Sequence, residues 1–142
     1  MTRKVLVIVL SLMVTSAYAQ DIFGKWRTID DETGKAKSIV EIYESNGKVF
    51  GKIVDIVNPA RKNAICNKCE GDDKGKPIVG FVLIRNLKKQ GRYYEGGTIF
   101  DPNKGKEYKC RLGLLEDNTD VLQVRGYIAF FYATQYWERV TP

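Results

Sequence analysis

The chain has 142 residues, with 23 Lys+Arg against 17 Asp+Glu, a formal net charge of +6, three cysteines and no histidine. Its 44% hydrophobic and 28% charged residues are those of an ordinary folded domain and exclude a disordered or collagen-like chain, and its length allows one core but not two. The missing imidazole excludes Ser-His-Asp and Cys-His nucleophiles, a histidine general base and histidine metal sites. Acid–base chemistry through Tyr, Asp/Glu or Lys stays open, but no residue pair at informative spacing supports it, and the expectation names no catalytic residue, metal or cofactor.

The chain opens with Arg3 and Lys4, then the apolar run Val5–Val14, then Ala17-Tyr18-Ala19. A short positive segment, an apolar stretch of about ten residues and small residues at a cleavage point make a secretory signal peptide. The apolar run is too short to span a bilayer, and no cysteine follows Ala19 to carry a lipid anchor. Cleavage after Ala19 leaves residues 20–142 as one domain in the periplasm or outside the cell, and removes two positive charges. The remaining basic residues are spread among acids (Lys35, Lys37, Glu41, Glu44, Lys48, Lys52, Asp55), which describes a solvated surface and no nucleic-acid partner.

Beyond the leader the pattern is that of strands. Short runs rich in Val, Ile, Tyr, Phe and Trp alternate with clusters of Gly, Asn, Asp and Pro. Eight strands are predicted, near Phe23–Thr28, Ser38–Glu44, Lys48–Val57, Pro77–Asn86, Tyr93–Phe100, Glu107–Glu116, Asp120–Ile128 and Thr134–Val140. Asn46-Gly47 suits a tight hairpin because both residues tolerate positive φ, and Asp101–Gly105 and Asp117–Thr119 are further turn clusters. Tyr108, Cys110, Leu112 and Leu114 share one face of the sixth strand, and Leu122, Val124, Gly126 and Ile128 share one face of the seventh, opposite charged and polar neighbours. The fourth strand is apolar on both faces over Ile78–Ile84, so its outer side needs a cover. Glycines within strands, Gly51, Gly80, Gly96, Gly97, Gly113 and Gly126, suit the sharp bending of a small closed barrel. Short links favour antiparallel neighbours, hence an all-β, eight-stranded antiparallel up-and-down barrel.

One link is long. Residues 58–76 show no strand pattern and contain Cys66 and Cys69, which suggests a tethered lid. With Cys110 the sequence permits three single bridges, 66–69, 66–110 or 69–110. In an exported protein one is expected, and a bridge to Cys110, stapling the lid to the sixth strand, is the expectation. A thiol-redox role for the CxxC pair and metal binding stay open as alternatives; redox CxxC sites usually begin a helix, and zinc lacks a histidine fourth ligand.

Other features have two readings each. Ala129–Ala133, flanked by Tyr127 and Tyr136, forms an apolar turn whose rings either tuck into the barrel end or form an exposed tip that docks on a partner or membrane surface. Asp30-Asp31-Glu32 and Glu70-Gly71-Asp72-Asp73 read as solvated turns, with calcium ligation as the alternative. Asp101 and Arg125, both at strand edges, are expected to pair with each other, or to hold an anionic ligand at the barrel mouth.

Gly24-Lys25-Trp26 in the first strand and Trp137-Glu138-Arg139 in the last resemble the calycin, or lipocalin-like, barrel pattern. That resemblance implies that Trp26 closes one barrel end and Arg139 packs across its ring, a cation–π contact. The mature chain as a whole is similar to the secreted bacterial family known as domain of unknown function 2147. The matching stretches, in order, are Gly24-Lys25-Trp26, Asp30–Gly34, Asn46–Ile53, Cys66-Asn67-Lys68-Cys69, Lys76–Gly80, Gly96-Gly97, Asp101-Pro102-Asn103, Tyr108-Lys109-Cys110 and Val124–Tyr127. The family commonly carries an aliphatic, glycine-containing turn after Ile128; this chain has Ala129-Phe130-Phe131-Tyr132-Ala133 instead. The resemblance implies export and a small lipocalin-like barrel, and it supplies no catalytic residue.

A barrel of this strand number either holds one small ligand or fills with side chains. The expectation is a non-enzymatic binding module for a small apolar or amphipathic ligand, with Asp101, Tyr108, Arg125, Tyr127, Phe130 and Phe131 as ligand or partner contacts. The alternatives are a filled barrel acting as an envelope protein-interaction or stress module, and a thiol-redox protein. The sequence leaves the oligomeric state open.

Overall fold

Eight strands form a closed antiparallel barrel in which each is hydrogen-bonded to its sequence neighbours and β8 returns to β1. They are β1 (Gly24–Ile29), β2 (Ala36–Ser45), β3 (Lys48–Ile56), β4 (Val82–Gln90), β5 (Tyr93–Asp101), β6 (Lys106–Leu114), β7 (Val121–Ile128) and β8 (Phe131–Arg139). The computed structural model describes residues 21–141; the leader read at residues 1–19 lies outside them. Among the described residues no helix is long and apolar enough to cross a membrane.

The predicted alternation is the barrel's inside and outside. Trp26, Val40, Ile42, Ile84, Leu87, Leu112, Leu122 and Trp137 are all essentially inaccessible to solvent and fill the axis. Burying such side chains is the main stabilising term, about 2 kcal/mol for each large one. Thr28 is the buried polar exception, and its hydroxyl is satisfied at 2.7 Å by Ser38 on the adjoining strand.

One end is closed by the predicted pair. The N-terminal segment crosses beneath the barrel with Ile22 buried, and its carbonyl accepts a 2.8 Å hydrogen bond from Trp26 Nε1. The Arg139 guanidinium lies 4.4 Å from the Trp26 ring centre. Its Nη2 donates to the carbonyls of Asp21 and Thr119, each at 2.9 Å, and Nε faces Asp120 at 3.3 Å. One side chain thus ties the first segment, the β6–β7 loop and the last strand together.

The fourth strand departs from its predicted span. It begins at Val82 rather than Pro77 and runs on to Gln90. Pro77 has no N–H for a ladder and makes only an isolated bridge to Ile65; Gly80, with φ of 95°, then turns the chain. Asn86, with φ of 62°, is a kink the strand passes through rather than its end. The apolar stretch before the strand finds its cover in the long loop: Ile78, Phe81 and Leu83 are buried in one cluster with Cys66, Cys69 and the barrel core.

Candidate functional site

The long loop is ordered by its own residues. Asn58 caps a short 3-10 turn at Pro59–Arg61 through Ala60 N–H, and a second turn covers Gly71–Asp73. Cys66 is joined to Cys69, and both are buried. This corrects the expected bridge to the sixth strand: Cys110 is a free, buried thiol. It faces the apolar interior, where burial pushes its pKa up to about 12, so it stays protonated and unreactive near neutral pH. The loop is held to the rim without a covalent link. Cys66 Sγ lies 3.8 Å from the Pro102 carbonyl oxygen, and Gly105 in the β5–β6 turn sits so close to Lys68 that a Cβ there would overlap the Lys68 carbonyl. Spacing of cysteines in sequence says nothing about which sulfurs meet, and here the nearest pair does.

A bridge between residues three apart closes a very short loop. Its chain-entropy contribution is about 2 kcal/mol, against nearly 4 for a loop to Cys110. Cys66→Ser with Cys69→Ser is therefore expected to lower the unfolding free energy by about 2 kcal/mol while leaving the barrel folded, as read by urea titration and far-ultraviolet circular dichroism.

The returning limb of this loop, Lys76–Val82, lies beside outward-facing residues of β2, β3 and β4 and leaves a groove of about 590 Å³. Its walls include Tyr43, Phe50, Val79 and Phe81, and its charged side is Asp73, Lys76 and Arg85. Tyr43 and Phe50 are cross-strand partners, stacked at 5.8 Å. Phe81 packs on Phe100 at 5.7 Å, and Arg85 lies 5.7 Å from the Phe81 ring centre. Arg85 Nε donates to the Val82 carbonyl at 3.0 Å. Asp73 bridges the cations, 2.8 Å from Lys76 and 3.5 Å from Arg85; the Lys76 hydrogen bond holds its carboxyl below the usual carboxylate range. The volume is that of a small-molecule site, and two cations face one carboxylate across an aromatic floor. The sequence reading missed this groove. The available signal was Tyr43 and Phe50, a pair of aromatics at outward positions flanking the Asn46-Gly47 turn.

At the opposite end from Trp26, the expected site residues are dispersed. Tyr108 faces the interior, opposite Ile99 and beside Gly126. Asp101 turns back to accept from the Asn103 and Lys104 N–H groups at 2.9 and 3.2 Å. It does not meet Arg125, whose Nε donates to Thr134 at 2.9 Å and whose guanidinium lies 4.4 Å from the Tyr132 ring centre. The expected Asp101–Arg125 pair is thus corrected: each is satisfied by its own hairpin. Tyr127 packs outside against Tyr132, the rings tilted at 50° with centres 6.0 Å apart. Phe130 and Phe131 do not tuck inward; they are 99% and 74% exposed. The turn is only Ala129-Phe130, with Ala129 at φ of 50°, so β8 begins at Phe131 rather than Thr134.

The same mouth carries a short polar chain. Trp137 Nε1 donates to Gln135 Oε1 at 3.0 Å, and Gln135 Nε2 donates to Asp31 at 2.8 Å. Asp30 accepts from the Glu32 and Thr33 N–H groups, and these backbone bonds, that from Thr33 foremost, lower its pKa. Among the described residues no group of three or more Asp, Glu, Cys or His is placed to hold a metal ion.

A closed eight-stranded meander with a tryptophan-and-arginine end defines a lipocalin-like barrel. The solved structure of protein HP1028 from the human pathogen Helicobacter pylori, described as belonging to the lipocalin family, has the same fold: TM-score 0.75, 22% identity, covering 87% of this chain and 85% of that one. The family described as uncharacterized protein conserved in bacteria (DUF2147) matches residues 24–139, and the chain belongs to it. No curated protein matches the chain.

Proposed function

We propose that the chain is an exported, non-enzymatic binding module for a small amphipathic ligand with an anionic group, held in the lateral groove. The observation that carries this reading is the contrast between a barrel axis filled by Trp26, Trp137, Leu112 and Leu122 and a groove of ligand size outside it. Tyr43, Phe50 and Phe81 offer an apolar bed, and Lys76 and Arg85 offer charge to an anion that replaces Asp73. Export is supported by the leader at residues 1–19 and by the Cys66–Cys69 bridge, a bond of oxidising compartments. Burial of both bridged sulfurs and of Cys110 argues against the thiol-redox alternative.

The probe is anilinonaphthalene sulfonate, an anionic amphiphile read by fluorescence. Phe50→Ser and Arg85→Gln are each expected to weaken its binding about tenfold, some 1.4 kcal/mol. Binding unchanged in both variants but lost in Tyr108→Trp, which crowds the mouth, would place the ligand inside the barrel and overturn the groove.

A further inference from the structure

The β7–β8 hairpin ends in a projecting apolar point. β1 pairs with β8 only at Glu138 and Arg139, so β1 does not cover the Phe131–Tyr136 edge. The apex residue Phe130 is 99% exposed, followed by Phe131 at 74%, Tyr132 at 62% and Ile128 at 51%. Monomeric proteins rarely leave two adjacent phenylalanines bare at a turn without a partner.

Chemistry changes in order along the hairpin. Ile128, Phe130 and Phe131 form the tip. Tyr127 and Tyr132, directly opposite one another, come next. Behind and beside them are cations: Lys109 is in register with Tyr127, next to Arg125, while Arg111, in register with Arg125, turns its guanidinium away to the Tyr93 ring at 4.0 Å. Arg125 Cζ reaches forward to the Tyr132 ring. Among the described residues neither Lys109 nor Arg125 forms a salt bridge, and the contacts of Arg125 are with Thr134 and Tyr132. The adjacent β5–β6 hairpin adds Lys104 and Lys106, with Asp101 and Glu107 as its acids. On this flank four cations, Lys104, Lys106, Lys109 and Arg125, stand against those two acids, so the collar here is net positive; Asp30 and Asp31 lie on the other flank, beside Thr134 and Gln135.

We infer that this tip docks on an anionic lipid surface. Apolar point, tyrosine belt and cationic collar follow the order of a bilayer surface from acyl chains to interface to phosphates. Tyr132 stands two residues behind Phe130, about 7 Å at the rise of a strand, which matches the shallow depth to which interfacial segments enter. A second copy of the chain is the poorer occupant: one hairpin turn offers a fraction of the roughly 800 Å² that each partner of a stable dimer buries. The inference is independent of the lateral groove.

The test is flotation with phosphatidylcholine vesicles containing about a third phosphatidylglycerol. Wild-type protein is expected to float with them, to float poorly with pure phosphatidylcholine, and to be released by salt. Phe130→Ser with Phe131→Ser should weaken binding at least about tenfold, and Phe130→Leu should preserve it. Arg125→Gln with Lys109→Gln should also weaken it, by about twenty-five-fold, since each cation near such a surface is worth about fivefold. Unchanged melting temperatures establish that the variants are folded. No flotation of the wild type, flotation indifferent to the serine pair, or equal flotation on both vesicle types overturns the proposal. So does a wild-type dimer in analytical ultracentrifugation that the serine pair dissolves, because the tip is then a self-association surface.

Discussion

Trp26→Ala is expected to cost about 4 kcal/mol of unfolding free energy, read by urea titration with circular dichroism. The loss has three parts. The indole is wholly buried at the closed end, so its removal forfeits transfer energy and leaves a cavity that the closed barrel wall fills only in part. The Ile22 carbonyl loses its 2.8 Å donor from Nε1. The Arg139 guanidinium loses the ring it lies over, at 4.4 Å. A domain of this size has about 5–15 kcal/mol in total, so the variant is close to unfolding at its growth temperature. A double-mutant cycle with Arg139→Gln isolates the last part. A coupling of about 1 kcal/mol is expected. Coupling near zero would show that Arg139 acts through the Asp21 and Thr119 carbonyls and Asp120 rather than through the ring.

The second large effect is at a glycine. Gly97→Ala is expected to destabilise by about 3 kcal/mol or more. A Cβ at this position would overlap the carbonyl of Arg85 and the backbone of Asn86 on the neighbouring strand. Backbone atoms cannot rotate away as a side chain would, and Asn86 already sits at φ of 62°, so relief requires β4 and β5 to separate. Gly126→Ala is the internal control. Its Cβ would meet Tyr108 at 3.6 Å and Ile99 at 3.8 Å, ordinary contact distances, and the change should stay within about 0.5 kcal/mol. Thermal unfolding of the two variants side by side separates close approach from a general intolerance of side chains at strand glycines. Equal effects would remove the distinction.

These two residues mark how far the sequence could be read. Trp26 was legible, because Gly-x-Trp in a first strand and an arginine in the last belong to a known barrel pattern. Gly97 was legible as a bend but not as a contact, because nothing local states that Asn86 approaches it. The same division runs through the site. Tyr43 and Phe50 are readable as an outward pair flanking a hairpin turn, yet the groove exists only because Phe81 and Arg85, more than thirty positions away, come alongside. Asp101 and Arg125 looked like partners in a one-dimensional view; each is consumed by short-range bonds within its own hairpin.

By itself the sequence determined the strands, their order and which faces turn inward, because a period of two and turn residues act locally. The Trp26–Arg139 contact was an expectation from the resemblance to the calycin pattern, and the structure places the guanidinium 4.4 Å from the ring centre. Only the tertiary structure decided that Cys66 joins Cys69 and leaves Cys110 free, that the axis is filled, and that Phe130 and Phe131 stand in solvent. Those outcomes depend on where the barrel wall ends and how much volume it encloses. They are sums over many strands, which no single segment encodes.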